Sequence, residues 1–469
     1  MPANVLLIVL DTARADVFEP YGAPVGASPA IANLASRGTA VPKAYAAASW
    51  TVPSHASLLT GKLSRSLRLG QIPGGDRHIC KPRLMAARDR YLPAVLADRG
   101  FDVRGVSANP WISESSGFAE GFASFDQVAT SRRGRMYDPS TKQRIKWALE
   151  AFVAKGDDGA RAAEQVLYRW IDDGPTAPFF WFVNLLECHS PYLPPKPHNR
   201  LNAYQRLLAA EDARNYLTFH DVIKTCLGIV EIPPTALARM RKLYEDSIRL
   251  MDSWLERVLT ALDAKGILDD TQVIITSDHG ENLGEQNLIG HGLSLDERLI
   301  RVPFVTAGPL DLAMSDILSL VELPSVLADG LGLESHPWEA DERNDGVVVA
   351  QFDGFGGEDM PPIDEAESWG LTDEARGKLL FDLTAATDGR WKLVRHGDRE
   401  RFFDLSADPL ETHSVAVSDV AEAARLRAAV DAAEYRATAV LPAAAGPQPE
   451  MDADEAAALE EQMRLLGYL

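Results

Sequence analysis

The chain has 469 residues, 46% of them hydrophobic, which supports a large core and predicts one big domain with a smaller one. Its formal net charge is −21, with 68 acidic and 47 basic residues. This charge excludes a protein that coats nucleic acid, because no run of Lys and Arg would neutralise phosphates, and a small anionic substrate would need a locally positive pocket.

The chain begins with an apolar run, Asn4 to Leu10, that is followed at once by Asp11. It lacks the basic region of a signal peptide and is too short to be one. A continuous apolar run of this length is typical of a strand that is covered on both faces in an α/β sheet. Open α/β sheets bind ligands beyond the carboxyl ends of their strands, so Asp11 is a candidate site residue. A helix is predicted next, from Pro29 to Arg37.

The segment at residues 48–62 places one hydroxyl, Thr51, ahead of Pro53 and a Ser/His pair. Pro53 biases the preceding residue towards an extended conformation, so we expect Thr51 at the end of a loop. Ser54 is a good N-cap for a short helix that Gly61 would end, and the free N–H groups of a helix N-terminus favour an anion. Thr51 is therefore a candidate nucleophile that needs a metal ion or a base to activate it. The plain alternative is a simple loop-to-helix cap.

Strands and helices alternate through the middle of the chain. Residues 200–235 are polar and are predicted to form an irregular insertion that could cover a pocket. A predicted strand over 271–276 leads into a loop that carries Asp278, His279 and His291. The other predicted elements are a helix over 91–99, a strand over 101–107 ending near Asn109, helical segments within 142–173, a strand over 179–186 ending at Glu187 and His189, a helix over 239–265 and a strand over 301–307.

The pattern changes after about residue 335. Short apolar runs separated by Asp-Gly and Gly-Asp turns predict a small antiparallel sheet. A helix over 417–438, a linker and an acidic helix over 452–466 are predicted to follow. The predicted domains are a catalytic domain over 1–335, an antiparallel subdomain over 336–440 and a terminal linker and helix over 441–469.

The three cysteines, Cys80, Cys188 and Cys226, are odd in number and far apart in the sequence. They indicate neither a disulfide framework nor a metal knuckle, and they fit a reducing compartment. We find no predicted transmembrane segment. The sequence thus predicts a cytoplasmic protein with no membrane and no nucleic-acid partner, and it leaves the oligomeric state open.

Four positions at strand ends or in loops carry side chains that can bind a metal ion: Asp11, Thr51, Asp278 and His279. Two carboxylates, one imidazole and one hydroxyl suit Zn²⁺ or Mn²⁺ better than Ca²⁺. Such an ion would lower the pKa of the Thr51 hydroxyl and so create the nucleophile. One divalent ion is the preferred interpretation, and a second ion stays open.

Other polar residues in these loops are candidates to bind the anion or to protonate the leaving group. Each has a plain alternative. A lone His is usually a surface or packing residue, the alternative for Lys62 is a solvated charge, and the alternative for Glu187 is a hydrogen bond to the backbone. The candidates are His55, His189 and His291 as catalytic residues, and Lys62, Asn109 and Glu187 as substrate-binding residues.

Seven segments, in this order between residues 5 and 415, carry a resemblance to a known family. They are VLLIVLDTARAD, SPAIANLASRG, SWTVPSHASLLTGK, NLLECHSPYLPP, SDHGENLGEQNLIGHG, DGRWKLVRHGD and FDLSADPLETHSV. Together they resemble the sulfatase family within the alkaline phosphatase superfamily. The resemblance implies an α/β fold with a largely parallel central sheet sandwiched by helices and a smaller C-terminal antiparallel sheet. It also implies that Asp11, Asp278 and His279 bind the metal ion along with the Thr51 oxygen.

The nucleophile position departs from the family pattern. Formylglycine-dependent sulfatases have Cys or Ser there, which is oxidised to an aldehyde, and continue with x-Pro-x-Arg, whereas this chain has Thr51 and His55. Thr is a secondary alcohol that cannot yield the aldehyde, so that mechanism does not apply. Thr51 instead resembles the nucleophile of nucleotide pyrophosphatase/phosphodiesterases and phosphoethanolamine transferases of the same superfamily, which pass through a phospho-threonine.

Three further departures concern the metal and the substrate. Thr12 stands where the family pattern has a second Asp, and His279 stands where it has Asn, and both changes move the site away from Ca²⁺. His291 falls where related phosphonate monoester hydrolases carry a Lys that contacts the substrate.

The sequence therefore predicts a metal-dependent hydrolase of phosphoric or phosphonic esters, with diesters favoured, that acts on a small anionic ester through a covalent Thr51 intermediate. Three alternatives stay open. They are sulfate-ester hydrolysis by Thr51, transfer of the phosphoryl group to an alcohol acceptor, and a non-catalytic anion-binding scaffold.

Overall fold

A computed structural model of the chain describes residues 3–71, 79–128, 140–175, 178–339, 345–354, 368–416 and 421–438. The strands are β1 (Asn4–Leu10), β2 (Thr39–Ala40), β3 (Lys43–Tyr45), β4 (Asp102–Ser107), β5 (Ser124–Gln127), β6 (Phe179–Leu185), β7 (Thr271–Thr276), β8 (Asn282–Leu283), β9 (Ile289–Gly290), β10 (Arg301–Val302), β11 (Phe304–Ala307), β12 (Ile317–Ser319), β13 (Val348–Phe352), β14 (Leu383–Thr387), β15 (Trp391–His396) and β16 (Arg399–Asp404). The helices are α1 (Pro29–Arg37), α2 (Thr51–Thr60), α3 (Cys80–Met85), α4 (Leu92–Asp98), α5 (Thr141–Val153), α6 (Ala160–Asp173), α7 (Ala203–Tyr216), α8 (Phe219–Cys226), α9 (Pro234–Ala264), α10 (Glu297–Ile300), α11 (Leu323–Gly330), α12 (Asp373–Leu380) and α13 (Ala423–Thr438).

The central sheet has seven strands in the order β2-β11-β7-β1-β6-β4-β5. β1 lies between β6 and β7 and runs parallel to both, and β4 runs parallel to β6 and β5. β11 and β2 form an antiparallel edge. The predicted, largely parallel sheet is confirmed. Because parallel strands end at the same edge of a sheet, the segments that follow β1, β4, β6 and β7 meet there.

β1 shows why this sheet is buried on both faces. Leu6 and Ile8 pack on one side with side chains of α5, α6 and α9, whereas Leu7 and Val9 pack on the other side with α2, α4 and α11. Successive side chains of a strand point to opposite faces, so a continuous apolar run supplies both cores.

The C-terminal part forms the predicted antiparallel sheet, with strands in the order β13-β14-β15-β16. One face buries Leu393 and Phe402 against Leu426 of α13. The other face packs Val394 in one cluster with Leu299 of α10, so the small sheet is attached to the segment that follows β7. This predicted sheet is also confirmed.

Two predicted elements are wrong. Residues 200–235 are not irregular, because they contain α7 and α8, whose N-caps Asn202 and Thr218 accept hydrogen bonds from backbone N–H groups. The single strand predicted over 301–307 is divided at Pro303, which has no N–H to donate to a ladder. As a result β10 pairs with β3, while β11 pairs with β7 in the central sheet.

The helix predicted over 452–466 lies outside the described residues, as does residue range 417–420 of the helix predicted over 417–438. Within the described part of the chain, none of the helices combines the length and the apolar character that crossing a bilayer requires.

Candidate functional site

Three predicted metal ligands meet at the carboxyl edge of the central sheet. Asp11 follows β1, and Asp278 and His279 follow the neighbouring strand β7. All three side chains are fully buried, and one ligand atom from each lies within 4.8 Å of the others. The sheet therefore brings together residues that are far apart in the sequence.

The hydrogen bonds of the Asp11 and Asp278 carboxylates fall on one oxygen of each. Asp11 Oδ2 accepts from Asn109 Nδ2 at 2.6 Å, and Asp278 Oδ1 accepts from the backbone N–H groups of Thr12 and His279 at 3.2 and 2.9 Å. Among the described residues, Asp11 Oδ1 has no hydrogen-bond partner, and the approach of His55 Nδ1 to Asp278 Oδ2 at 3.3 Å does not have the geometry of a hydrogen bond. Buried, unpartnered carboxylate oxygens fit a cation, because an unsatisfied buried charge is costly.

His279 completes this donor set. Its Nδ1 lies 2.9 Å from the carbonyl oxygen of Gly280 and so carries the proton, which leaves a lone pair on Nε2. In the described part of the chain, Nε2 has no hydrogen-bond partner. Two carboxylate oxygens and one neutral imidazole nitrogen fit a divalent cation such as Zn²⁺ or Mn²⁺.

The electrostatics of the three side chains follow from their burial. Burial and the neighbouring Asp278 charge raise the pKa of Asp11 to about 7. Burial acts in the same direction on Asp278, but His279 and His55 outweigh it and lower the pKa of that carboxyl to about 2. Burial lowers the pKa of His279 to about 4, which keeps the imidazole neutral and able to bind a metal ion.

Thr51 lies beside this group, but not in the predicted loop. It is the first residue of α2, after the N-cap residue Trp50, and the predicted N-cap Ser54 instead donates its hydroxyl to the carbonyl oxygen of Asp278 at 2.5 Å. Pro53 is tolerated there because the first N–H groups of a helix have no intrahelical partner. Thr51 does lie at a helix N-terminus, as predicted. The predictions that Thr51 lies in a loop and that Ser54 is the N-cap are wrong.

Asn109 connects the Thr51 hydroxyl to the ligand group. Its Nδ2 lies 3.5 Å from Thr51 Oγ1 and 2.6 Å from Asp11 Oδ2. Thr51 is only 4% exposed, so its hydroxyl is held next to the ligands and largely shielded from solvent. Asn109 was predicted to bind substrate, and here it contacts both the candidate metal ligand Asp11 and the candidate nucleophile Thr51.

His55 lies behind Asp278, one turn along α2 from Thr51. Its Nδ1 is 3.0 Å from the Thr51 carbonyl oxygen and 3.3 Å from Asp278 Oδ2, and its Nε2 is 3.4 Å from Asn184 Nδ2. Burial lowers the pKa of His55, but Asp278 outweighs this effect and raises it overall. With both ring nitrogens facing protein groups and no exposed surface, His55 positions Asp278 and is not placed to reach a leaving group.

His291 and His189 form the other side of the site. The His291 ring lies 4.7 Å from the His279 ring and 4.8 Å from the His189 ring, measured between centroids. His189 Nδ1 lies 2.8 Å from the carbonyl oxygen of Ser190, which holds the orientation of that ring. His291 therefore lies beside the ligand group, and His189 lies beside His291.

Glu281 is a site residue that the sequence reasoning missed. It is fully buried, and its Oε1 lies 3.0 Å from His291 Nδ1. The short hairpin of β8 and β9 brings the two residues together. Burial lowers the pKa of His291, but the Glu281 charge outweighs it and raises the pKa overall. The turn residue Gly284, between Leu283 and the apolar pair Leu288 and Ile289, was the signal that could have revealed this hairpin.

Lys62 and Glu187 are not part of the group. Lys62 follows the far end of α2, which places its backbone roughly 15 Å from Thr51 along the helix axis. Glu187 Oε1 accepts hydrogen bonds from the N–H groups of Asp158 and Ala160, both at 2.9 Å, and so caps the start of α6. The alternative role weighed for Glu187, hydrogen bonding to the backbone, is the one that this geometry favours.

The family model described as Sulfatase matches residues 3–316. The chain belongs to the sulfatase family. The predicted family is thus confirmed, and with it a hydrolase of the alkaline phosphatase superfamily. Sulfatase-family enzymes are metal-dependent, which agrees with the Asp11, Asp278 and His279 group.

Two curated proteins illustrate the range of names among the relatives of this chain. A choline-sulfatase of Rhizobium meliloti is 26% identical over 98% of this chain and 90% of its own length. The multifunctional alkaline phosphatase superfamily protein PehA of Trinickia caryophylli is 25% identical over 73% of this chain and 76% of its own length.

Solved structures agree on the fold of the sulfatase family. A phosphonate monoester hydrolase of Agrobacterium radiobacter superposes with a TM-score of 0.61 at 20% identity, covering 93% of this chain and 95% of that one. A 2-O GAG sulfatase superposes with a TM-score of 0.64 at 16% identity, covering 93% of both chains. These similarities support the fold and do not distinguish between the ester classes.

Proposed function

We propose that this chain hydrolyses phosphoric or phosphonic esters, with diesters favoured, through a covalent intermediate on Thr51. The observation that carries the proposal is the position of the Thr51 hydroxyl. It lies at a helix N-terminus, buried, and within 3.5 Å of the same Asn109 amide that binds Asp11. A helix N-terminus favours an anionic group, so the site suits a phosphoryl group next to an activated hydroxyl.

Each step can be assigned to residues of the site. Asp11, Asp278, His279 and the Thr51 hydroxyl would hold a divalent ion, which when bound lowers the pKa of a hydroxyl group and offsets anionic charge. Thr51 Oγ1 first releases its proton to solvent, then attacks phosphorus as the alkoxide and forms an O–P bond as the bond to the leaving oxygen breaks; hydrolysis of that O–P bond later restores the alkoxide. His291 or His189 donates a proton to the leaving oxygen, and the same imidazole then takes a proton from the water that hydrolyses the phospho-threonine.

The metal is proposed to be a single Mn²⁺ or Zn²⁺ ion. Its support is the donor set of two carboxylates, one imidazole and one hydroxyl, which is poorer in oxygen than a Ca²⁺ site. Within the described residues, Asp11, Asp278 and His279 are the group of three that approach closely enough to share an ion. Metal analysis of the purified protein should find about one equivalent, and Asp278→Asn protein should lose it.

The preference for phosphorus over sulfur rests on the nucleophile. A secondary alcohol has no route to formylglycine, so the hydrated aldehyde that formylglycine-dependent sulfatases use is not available to Thr51. The second candidate is sulfate-ester hydrolysis, which the near full-length similarity to a choline-sulfatase favours. Assays of p-nitrophenyl sulfate beside bis(p-nitrophenyl) phosphate and p-nitrophenyl phenylphosphonate separate the two candidates.

Substitution of Thr51 tests the mechanism. Thr51→Ala should lower kcat by at least about a thousandfold, because the nucleophile is lost. Thr51→Ser keeps a hydroxyl and is the matched control, which should retain much of the activity and form a covalent adduct that intact mass spectrometry detects. Full activity in Thr51→Ala protein that still binds its metal would defeat the proposal. Addition of glycerol to the assay, with product analysis, distinguishes hydrolysis from transfer to an alcohol.

A further inference from the structure

A cavity of about 490 Å³ lies between the catalytic part and the C-terminal sheet. Its walls come from the end of α8, the segment after β9, helix α12 and strands β14 to β16. A cavity of this size is in the range of small-molecule sites in proteins, so its lining is informative about what it would hold.

One part of this lining is apolar. It includes Leu288, Leu293, Leu383 and Val394, together with Cys226 from the end of α8. Leu383 and Val394 are buried members of the cluster that joins the two sheets. Burial raises the pKa of the Cys226 thiol to about 11, as expected for a thiol in apolar surroundings. This wall suits a hydrocarbon group.

The other part of the lining is cationic. Lys378, Arg399 and Arg401 are exposed, and no ion pair joins any of them to another side chain in the described part of the chain. They line the cavity together with His396, and burial together with these three cations lowers the pKa of that imidazole. Unpaired cations that converge on one cavity stand out in a chain whose net charge is −21.

Acidic groups also face the cavity, and they do not cancel these cations. Asp296 accepts hydrogen bonds from Arg298 and Ser294, so its charge is already paired. Asp373 and Asp398 are exposed and carry two negative charges. Set against the three cations of the lining, they leave an excess of one positive charge.

The cavity is separate from the candidate active site. Its described lining contains none of the metal ligands, Thr51, His189 or His291. Among its described lining residues, Leu293 is nearest to that site in the sequence, two residues after His291. A compound bound here would thus occupy a second site and not the position of the reacting ester.

We propose that this cavity binds a small amphiphilic anion, with its hydrocarbon part against Leu293 and Val394 and its charged head among Lys378, Arg399 and Arg401. A medium-chain carboxylate has this chemistry. The apolar part is bound by burial of its surface, and the cations select a charged head over a neutral one.

Titration calorimetry of the full chain with octanoate tests the proposal, because octanoate is not an ester and cannot be turned over. We expect one octanoate per chain, and affinity reduced by about fivefold or more in the Arg399→Gln/Arg401→Gln protein. Arg376→Gln removes an exposed cation from the same helix as Lys378 without touching the cavity, and this control should bind like the wild type. All three substituted positions are exposed, so the fold should be kept in both proteins.

A thiol-labelling experiment locates the bound octanoate. Cys226 lines the cavity, whereas Cys80 and Cys188 are buried elsewhere, so octanoate should slow the alkylation of Cys226 by N-ethylmaleimide in peptide mass spectra. Absence of octanoate binding at millimolar concentration, equal affinity in the Arg399→Gln/Arg401→Gln protein, or labelling of Cys226 that octanoate does not change would each overturn the proposal.

Discussion

Glu281 is a buried carboxylate that touches the candidate general acid and not the metal group. Its Oε1 faces His291 Nδ1 at 3.0 Å, which directs the other ring nitrogen of His291 away from the carboxylate. Residues that hold a catalytic imidazole in this way fix both its tautomer and its orientation. The charge of Glu281 also raises the pKa of His291 against the effect of burial, so it favours the protonated form that a general acid needs.

We predict that Glu281→Gln lowers kcat by about tenfold to a hundredfold, because the amide holds the His291 ring but no longer stabilises its charge. Metal content should not change, since Glu281 is not among the three grouped ligands. Steady-state kinetics with a chromogenic diester, with metal analysis of the same sample, measure both effects. An unchanged kcat would show that His291 does not act through Glu281.

The residues that the sequence could predict are those whose position follows from strand ends. Asp11 follows one strand directly, Asp278 and His279 follow another after Ser277, and the rule that parallel strands end together was sufficient to group them. His55 and Lys62 were harder, because their direction depends on where α2 begins. A helix that starts at Thr51 turns His55 back onto Asp278 and carries Lys62 away from the site.

Among the structural elements, β15 links the C-terminal sheet to the catalytic part through a buried lysine. Lys392 Nζ donates to the carbonyl oxygen of Leu295 at 2.6 Å and lies 2.7 Å from Glu411 and 3.3 Å from Glu297. Lys392 is fully buried, and Glu411 is 3% exposed. The pattern of short strands and turns predicted this sheet. The alternation of apolar and polar residues along a strand could not predict that the charged residue Lys392 is buried.

We predict that Lys392→Met destabilises the protein by about 3–5 kcal/mol, because it leaves the Glu411 carboxylate buried without its partner. The Lys392→Met/Glu411→Gln protein should recover part of this loss, since the amide carries no charge. Urea denaturation followed by tryptophan fluorescence gives the free energies of unfolding. If Lys392→Met lowered the free energy of unfolding less than Lys392→Met/Glu411→Gln does, the pairing of Lys392 with Glu411 would be contradicted.

For the molecule as a whole, the net charge of −21 reflects many carboxylates, and those that form ion pairs with Arg or Lys determine how stability changes at low pH. Glu285 is the clearest example, because it lies in the loop after Asp278 and His279 and contacts Arg14 at 2.8 Å and Arg241 at 2.7 Å. Burial raises the pKa of Glu285, but Arg14 outweighs it and lowers the pKa from 4.5 to about 2. The folded state thus binds fewer protons than the unfolded state between these values.

We predict that Glu285 contributes at most about 3 kcal/mol of stability above pH 4.5, and that this contribution is lost as the pH falls towards 2. The difference in unfolding free energy between wild-type and Glu285→Gln protein should therefore be large at pH 7 and shrink steadily in acid. Urea titrations at a series of pH values measure it. A difference that does not depend on pH would mean that Glu285 acts through packing and not through its charge.

The central position of β1 has a consequence for how this protein is made. Thr12, directly after Asp11, and Asp278 are 266 residues apart, and β7 takes its place beside β1 only after most of the chain has left the ribosome. Until then the nascent polypeptide exposes an unpaired apolar strand edge and holds half a set of ligands. The proposed metal site is therefore complete only late in biosynthesis, and fragments that stop before Thr271 should be substrates for chaperones rather than weak enzymes.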